Sequence, residues 1–470
     1  MTARCGRVRV LLSLSALLAV VAGCASGPAG GPFDGGFPGS AAVSAGARAP
    51  VALAPGDWPT YHRDAARSGL APGLPPAGGV ARLWRAALDG AVYGQPLVVG
   101  DQVLAATENN TLYALDAATG AVRWQRHVGA PARGAELPCG NIDPLGITGT
   151  PVFDPATGLV LAVAELTGGR HQLVGLNAAT GAPAVSREVE PPQGDRLAHQ
   201  QRSALALWQG RVQIAFGGLY GDCGQYVGAL LSVPVTGSGP TLAYSVPTPR
   251  QGGIWAPGGP VADGERLLVS VGNGSATGGG YDGSDSVLAL SADLQRTDFF
   301  APASWAQDNA ADLDLGSLSP VLIGRQVLIA GKRGTAYTLA ADHLGGIGGR
   351  LSQAQVCPAY GAAAVDGRTV YLPCSDGLAQ LTVAEDGTIH PGWRVPLNGA
   401  GSPVVGGGAV WVVDQGGDRG SGQLDLLDPV DGRIRERLPV GQVPHFASPV
   451  LSGARIFLGT MDGVLAFTGA

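Results

Sequence analysis

Between Pro96 and Trp124 the chain alternates short apolar runs with polar turn residues. Leu97–Val99 is apolar, Gly100-Asp101 breaks the run, Val103–Ala105 resumes it, and Asn109-Asn110 turns again. Leu112–Leu115 is a third run, closed by Asp116 and Thr119-Gly120, and Val122–Trp124 starts a fourth. Runs this short, punctuated by Gly, Asn and Asp, predict four strands joined by tight turns rather than a helix. The unit is one up-and-down antiparallel sheet.

The pattern recurs. Further units are read at about Thr148–Val189, Ser203–Val246, Trp255–Phe300, Gly316–Gln355, Tyr360–Leu397 and Ser402–Val440. The turn after the third strand returns as Asn177–Gly181 and as Leu427–Gly432. A last unit, Phe446–Phe467, stops after three strands, and Leu83-Trp84-Arg85, ahead of the first complete unit, can supply its missing outer strand. Repeats of roughly this length predict an all-β, eight-bladed β-propeller, closed by pairing N- and C-terminal segments so that no edge stays open. Eight is preferred to seven although the third and fourth units are irregular. No window of the chain after the first 24 residues shows a helical period. Long insertions at Ala130–Ile147 and Gly272–Ser286 are expected to gather on one face and roof the central channel.

The N-terminus reads differently. Arg4, Arg7 and Arg9 precede an apolar run, Val10–Ala22, that is short for a bilayer span and ends in Val21-Ala22-Gly23-Cys24. This resembles a bacterial lipobox, so residues 1–23 are expected to be a lipoprotein signal peptide and Cys24 the lipidated residue. Residues 24–56, rich in Gly, Ala, Pro and Ser, read as a flexible tether, and residues 57–470 as one propeller domain. The expected location is exported and lipid-anchored at the outer face of the cell membrane.

Four cysteines then remain, an even number that suits an oxidising compartment. A hairpin turn at Asp366-Gly367 brings Cys374 close to opposite Cys357, which leaves Cys139–Cys223 as the second disulfide. Glycine (76) and proline (35) suit a turn-rich fold. The net charge of −6 argues against nucleic acid as a partner. Contact with a membrane is expected only through the lipid anchor, and the chain is expected to be a monomer. Among 30 Lys and Arg residues the only lysine is Lys332, which hints that its position requires an ammonium. There is no Cys-x-x-Cys-His haem motif and no His-x-x-x-His pair.

The run Leu112-Tyr113-Ala114-Leu115-Asp116-Ala117-Ala118-Thr119-Gly120 resembles the pyrroloquinoline-quinone (PQQ) repeat. Two groups share such propellers: quinoprotein alcohol dehydrogenases, and non-enzymatic lipoproteins like the outer-membrane assembly factor of Gram-negative bacteria. The first resemblance implies a site for PQQ and Ca²⁺. It places Asp222 and Asn273 as metal ligands, Trp255 as the floor under the quinone and Lys332 on the quinone oxygens. Asp312, in Asp312-Leu313-Asp314, is placed as general base and further metal ligand. Three departures stand against it: Asp222 is shorter than the family's glutamate, the Trp and His-Asp expected near Asp312 are absent, and no adjacent cysteine pair exists. Two functions therefore remain open, an alcohol or sugar dehydrogenase and a non-catalytic scaffold for an envelope protein partner.

Overall fold

The computed structural model describes residues 50–417 and 420–469, and the expected signal peptide and Cys24 lie outside them. Eight sheets, each built on four antiparallel strands and three of them extended by a short fifth strand, form the ring. Blade 1 is Leu97–Val99, Gln102–Ala106, Thr111–Asp116 and Val122–His127, paired in sequence order. Blades 2 to 7 repeat this order, their first strands starting at Val152, Ala206, Val261, Val321, Ala364 and Val404. In blade 8 the strands Val450–Ser452, Arg455–Thr460 and Gly463–Thr468 are completed by Ala81–Ala87, antiparallel to Gly463–Thr468. The expected closure by the Leu83-Trp84-Arg85 segment is thus observed.

The continuous apolar runs explain which strands are buried. First, second and third strands are buried almost throughout, as in Leu159–Leu166, while outer strands such as Val122–His127 are largely exposed. The core therefore lies between neighbouring blades, and the outer strands carry the charges. Among the described residues no helix is long and apolar enough to cross a membrane. One short α-helix, Trp305–Ala310, departs from the expectation of none, because six residues are too few to display a helical period.

Tryptophans staple blade to blade. Trp84 of blade 8 donates to Ala117 O at 3.3 Å, Trp124 of blade 1 to Ala178 O at 2.8 Å, and Trp393 of blade 6 to Pro429 O at 3.1 Å. Each indole covers the glycine of the next blade's turn: Gly120, Gly181 or Gly432. At Gly181, where φ is +69°, an added Cβ would lie 2.8 Å from the Trp124 ring. The repeated turn glycine is therefore required twice, for its left-handed backbone and for the flat seat it offers.

Residues 57–71 seal one end of the channel. Trp58 exchanges backbone hydrogen bonds with Val98, at 2.8 and 3.1 Å, and its indole donates to Leu451 O. Phe153 N donates to Pro59 O, Ala262 N to Ala65 O, Val365 N to Ser68 O and Val405 N to Gly69 O. Arg67, only 3% exposed, donates to Leu205 O at 2.8 Å and Pro260 O at 3.3 Å. One segment thus contacts the first strands, or the residue just before them, in blades 1, 2, 3, 4, 6, 7 and 8. At Asp57 it reaches the turn after the first strand of blade 1, where Gly100 N donates to Asp57 Oδ1, and at Tyr61 and His62 it reaches residues just ahead of the first strands, Gln95, Ala204, Ala362 and Ser448. The loops leading into the first strands form the mouth.

Two outcomes test this reading. Gly181→Ala should lower the thermal midpoint more than Gly100→Ala, which has the same positive φ but nothing within 4 Å of the new Cβ. The clash is expected to add about 1–3 kcal/mol to the shared backbone penalty; equal shifts would remove the stapling role. His62 in the plug is fully buried, and burial lowers its pKa to about 3, below the ordinary histidine value. The unfolded chain then takes up a proton near pH 6.5 that the folded chain refuses, so stability should fall as pH drops from about 6.5 towards about 3. His62→Gln should flatten that part of the pH–stability curve.

Candidate functional site at the channel mouth

The loop after the second strand of blade 4 carries Gly272 and Asn273, and the segment before blade 5 carries Asp312 and Asp314. Lys332 follows the second strand of blade 5, and Trp255 precedes blade 4. These residues meet. Lys332 Nζ lies 2.8 Å from Asp312 Oδ1 and 2.9 Å from Asp314 Oδ2. It stands 5.9 Å from the centroid of the Trp255 ring. Asn273 N donates to Asp314 Oδ1 at 2.7 Å. Gly272 leaves the room: a Cβ there would sit 3.0 Å from Trp255 Nε1 and 3.3 Å from Asp314.

The two aspartates differ in setting. The Asp312 side chain is 63% exposed, on a backbone with φ +52°, whereas that of Asp314 is 4% exposed. Burial raises the Asp314 carboxyl above its ordinary pKa, opposed by Lys332 and the Asn273 N–H. Burial by itself would lower the Lys332 ammonium, but Asp314 and Asp312 outweigh it and hold its pKa above that of free lysine. The ammonium stays charged at every physiological pH. The buried position suited to a proton acceptor is therefore that of Asp314, and Asp312, the residue named from the sequence, is its solvent-side neighbour.

Support comes from the short helix. Asn309 accepts from Gly274 N at 2.7 Å and donates to Ala276 O and Ser284 Oγ, clamping the 272–286 loop. Tyr281 of that loop packs on Phe299 and Trp305. Asp285 accepts from Leu315 N at 2.9 Å and so orders the turn that presents Asp314.

Asp222 makes no direct hydrogen bond or ion pair with this group. Its carboxylate accepts from the Tyr226 hydroxyl, and its backbone carbonyl accepts from Arg250. Both expected disulfides are present. Cys139–Cys223, with Cα atoms 5.9 Å apart, ties the 130–147 insertion to the Asp222 loop, and Cys357–Cys374, at 5.7 Å, joins blades 5 and 6. The insertion packs Leu145 and Ala132 on Leu219, and Gly146 N donates to Glu108 Oε2 at 2.7 Å. Burial pushes Glu108 up to about 7 against the Gly146 N–H and the Thr148 hydroxyl.

The mouth also holds residues that the sequence reading passed over. Phe446, with φ +65°, lies 6.3 Å from Trp255 and 6.2 Å from Tyr360 between ring centroids. Arg202 stands 5.4 Å from the Phe446 ring and 5.7 Å from the Tyr93 ring. Blades 4 and 8 are opposite in the ring, so Trp255 and Phe446 together floor the channel. The signal was available: Tyr93, Arg202, Tyr360 and Phe446 each stand four residues before the start of a first strand, at Leu97, Ala206, Ala364 and Val450.

PQQ fits these residues in kind, since a planar anionic ring matches an indole face beside an ammonium. Calcium fits poorly. It requires six to eight oxygen ligands. Among the described residues no three His, Cys, Asp or Glu side chains are arranged to hold a metal. Of the set expected from the sequence, Asp312 is paired with Lys332 and Asp222 with Tyr226.

Residues 78–226 match the family model described as outer membrane protein assembly factor BamB. A polyvinylalcohol dehydrogenase from Sphingopyxis sp. (strain 113P3) is 30% identical over 236 residues, covering 45% of this chain and 33% of that protein. The chain thus spans about a third of the length of the curated relative it matches. A quinohemoprotein alcohol dehydrogenase from Pseudomonas putida superposes with a TM-score of 0.70 at 16% identity, over 88% of this chain and 80% of that one. BamB from Moraxella catarrhalis does so with a TM-score of 0.58 at 14% identity, over 83% and 100%. At such identities these structures speak for the fold, which is the same propeller.

Neutralising the ammonium checks the geometry. Lys332→Met leaves Asp314 buried without its cation, so the Asp314 carboxyl should titrate at higher pH than in the unaltered protein. NMR of the carboxyl carbon reads this shift, and an unchanged titration would mean that Lys332 does not govern Asp314.

Proposed function

We propose that this PQQ-repeat β-propeller is an exported quinoprotein that binds PQQ at the channel mouth and oxidises a hydroxyl-bearing substrate, an alcohol or a sugar. The observation that carries the reading is the meeting of Trp255, Asn273, Asp314 and Lys332, drawn from separate loops, at the unsealed end of the channel. The likeness to a polyvinylalcohol dehydrogenase supports an alcohol as substrate. The two disulfides support export. Lipid anchoring through Cys24 belongs to the same reading.

Trp255 offers its face to the planar ring, and Lys332 counters negative charge at the ring oxygens. PQQ supplies, when bound, a carbonyl centre that accepts a hydride, which the protein's side chains lack. Asp314 takes the proton of the substrate hydroxyl on a carboxylate oxygen, and its raised pKa makes it a stronger base than a free aspartate. The Asn273 N–H and Lys332 hold that carboxylate in place. Asp312 keeps Lys332 oriented from the solvent side.

The alternative reading is a non-catalytic envelope scaffold, favoured by the family-model match over residues 78–226. Reconstitution with PQQ followed by dye-linked alcohol oxidation separates the two. Asp314→Asn should reduce turnover by about 10²–10⁴-fold and leave PQQ retention intact, while Asp312→Asn keeps most turnover. The reverse order would return the base to Asp312. Failure to retain PQQ would leave the scaffold.

A further inference from the structure

Both acidic places expected to hold a metal already have a protein cation. Lys332 Nζ sits between Asp312 and Asp314, at 2.8 and 2.9 Å. A divalent ion there would have to displace an ammonium whose side chain is 18% exposed and which has these two carboxylates as its partners. At Asp222 the Arg250 guanidinium donates to the Asp222 and Gly224 carbonyls, and the carboxylate is engaged by Tyr226. Across the mouth a second cation faces the aromatic floor. Arg202 Nη2 donates to His445 O at 3.0 Å, while the guanidinium stands over the Tyr93 and Phe446 rings. Lys332, Trp255, Phe446 and Arg202 are therefore neighbours one to the next, with two adjacent rings between two cations.

We infer that the mouth holds a planar aromatic ligand bearing at least two anionic groups, gripped between Lys332 and Arg202 over Trp255 and Phe446, and that it does so without a divalent metal. The inference rests on the proposed PQQ site and sharpens it. A guanidinium presents a planar fork that matches a carboxylate, and it stacks on aromatic faces where an ammonium is a point charge. Lys332 then stands where a Lewis-acidic ion would be needed, at the ring oxygens.

Equilibrium dialysis of PQQ against the purified full chain provides the test, in EDTA and in excess Ca²⁺. Affinities equal within about twofold in the two buffers are expected, since no oxygen cage for the ion is present. Arg202→Gln should weaken binding about tenfold or more, as loss of a charge-assisted contact does, and Arg202→Lys should recover only part of it. Asp222→Asn should change nothing. Binding that appears only with Ca²⁺, or that Asp222→Asn abolishes, would overturn the metal-free grip while leaving the PQQ reading intact. Absence of binding in both buffers, by a chain with unaltered circular dichroism, would overturn both.

Discussion

The structure depends on closing a ring whose blades are individually too small to bury their own faces. Each sheet is apolar on both sides and needs a neighbour on each, so an open arc would expose two core faces. Two devices close it. Ala81–Ala87 completes blade 8 and joins the two ends of the propeller in one sheet. Residues 57–71 then bind the first strands of seven of the blades from inside. Arg67 is central to the second device: its buried guanidinium is satisfied by carbonyls of separate blades rather than by a buried carboxylate. Removing it would leave several carbonyls unpaired at once.

Sealing one end gives the site its direction. With the plug filling the channel between the first strands, the site residues gather on the face that carries the loops leading into those strands. The longest insertions also lie there, pinned by Cys139–Cys223 and by the Asn309 clamp. The regular blades make the wall, and loops of the fourth and fifth blades supply Asn273, Asp314 and Lys332. The outcome is a shallow aromatic floor with charge at its edges, in which a buried carboxylate is kept next to a permanent ammonium.

Most of the fold could be read from the chain because its signals are local. Short apolar runs, Asn-Asn and Asp-Gly turns, and a final unit one strand short are each read within a few residues. Both disulfides followed from counting and one hairpin. The tryptophan–glycine staples were hidden because each joins residues 33 to 54 apart in neighbouring blades, although the turn glycines themselves were visible. In the site, Trp255, Asn273 and Lys332 were placed together by resemblance, and they do meet. Asp312 and Asp314 could not be ranked, since two residues apart in one loop they look alike, and only packing against Gly272 and Asn273 buries one of them. Asp222 looked suitable as an isolated carboxylate, but its loop delivers it to Tyr226. Phe446 and Arg202 carried a positional signal, four residues ahead of a first strand, that becomes meaningful once the strands are aligned.

The central claim is that the mouth, floored by Trp255, is a ligand site rather than a structural cap. Retention of PQQ by Trp255→Ala compared with the unaltered protein, measured by absorbance after gel filtration, tests it most directly. The account predicts stoichiometric retention by the unaltered chain and loss of at least about tenfold in affinity on removing the indole, as expected for a stacking surface of this kind. Equal retention by both proteins would contradict it.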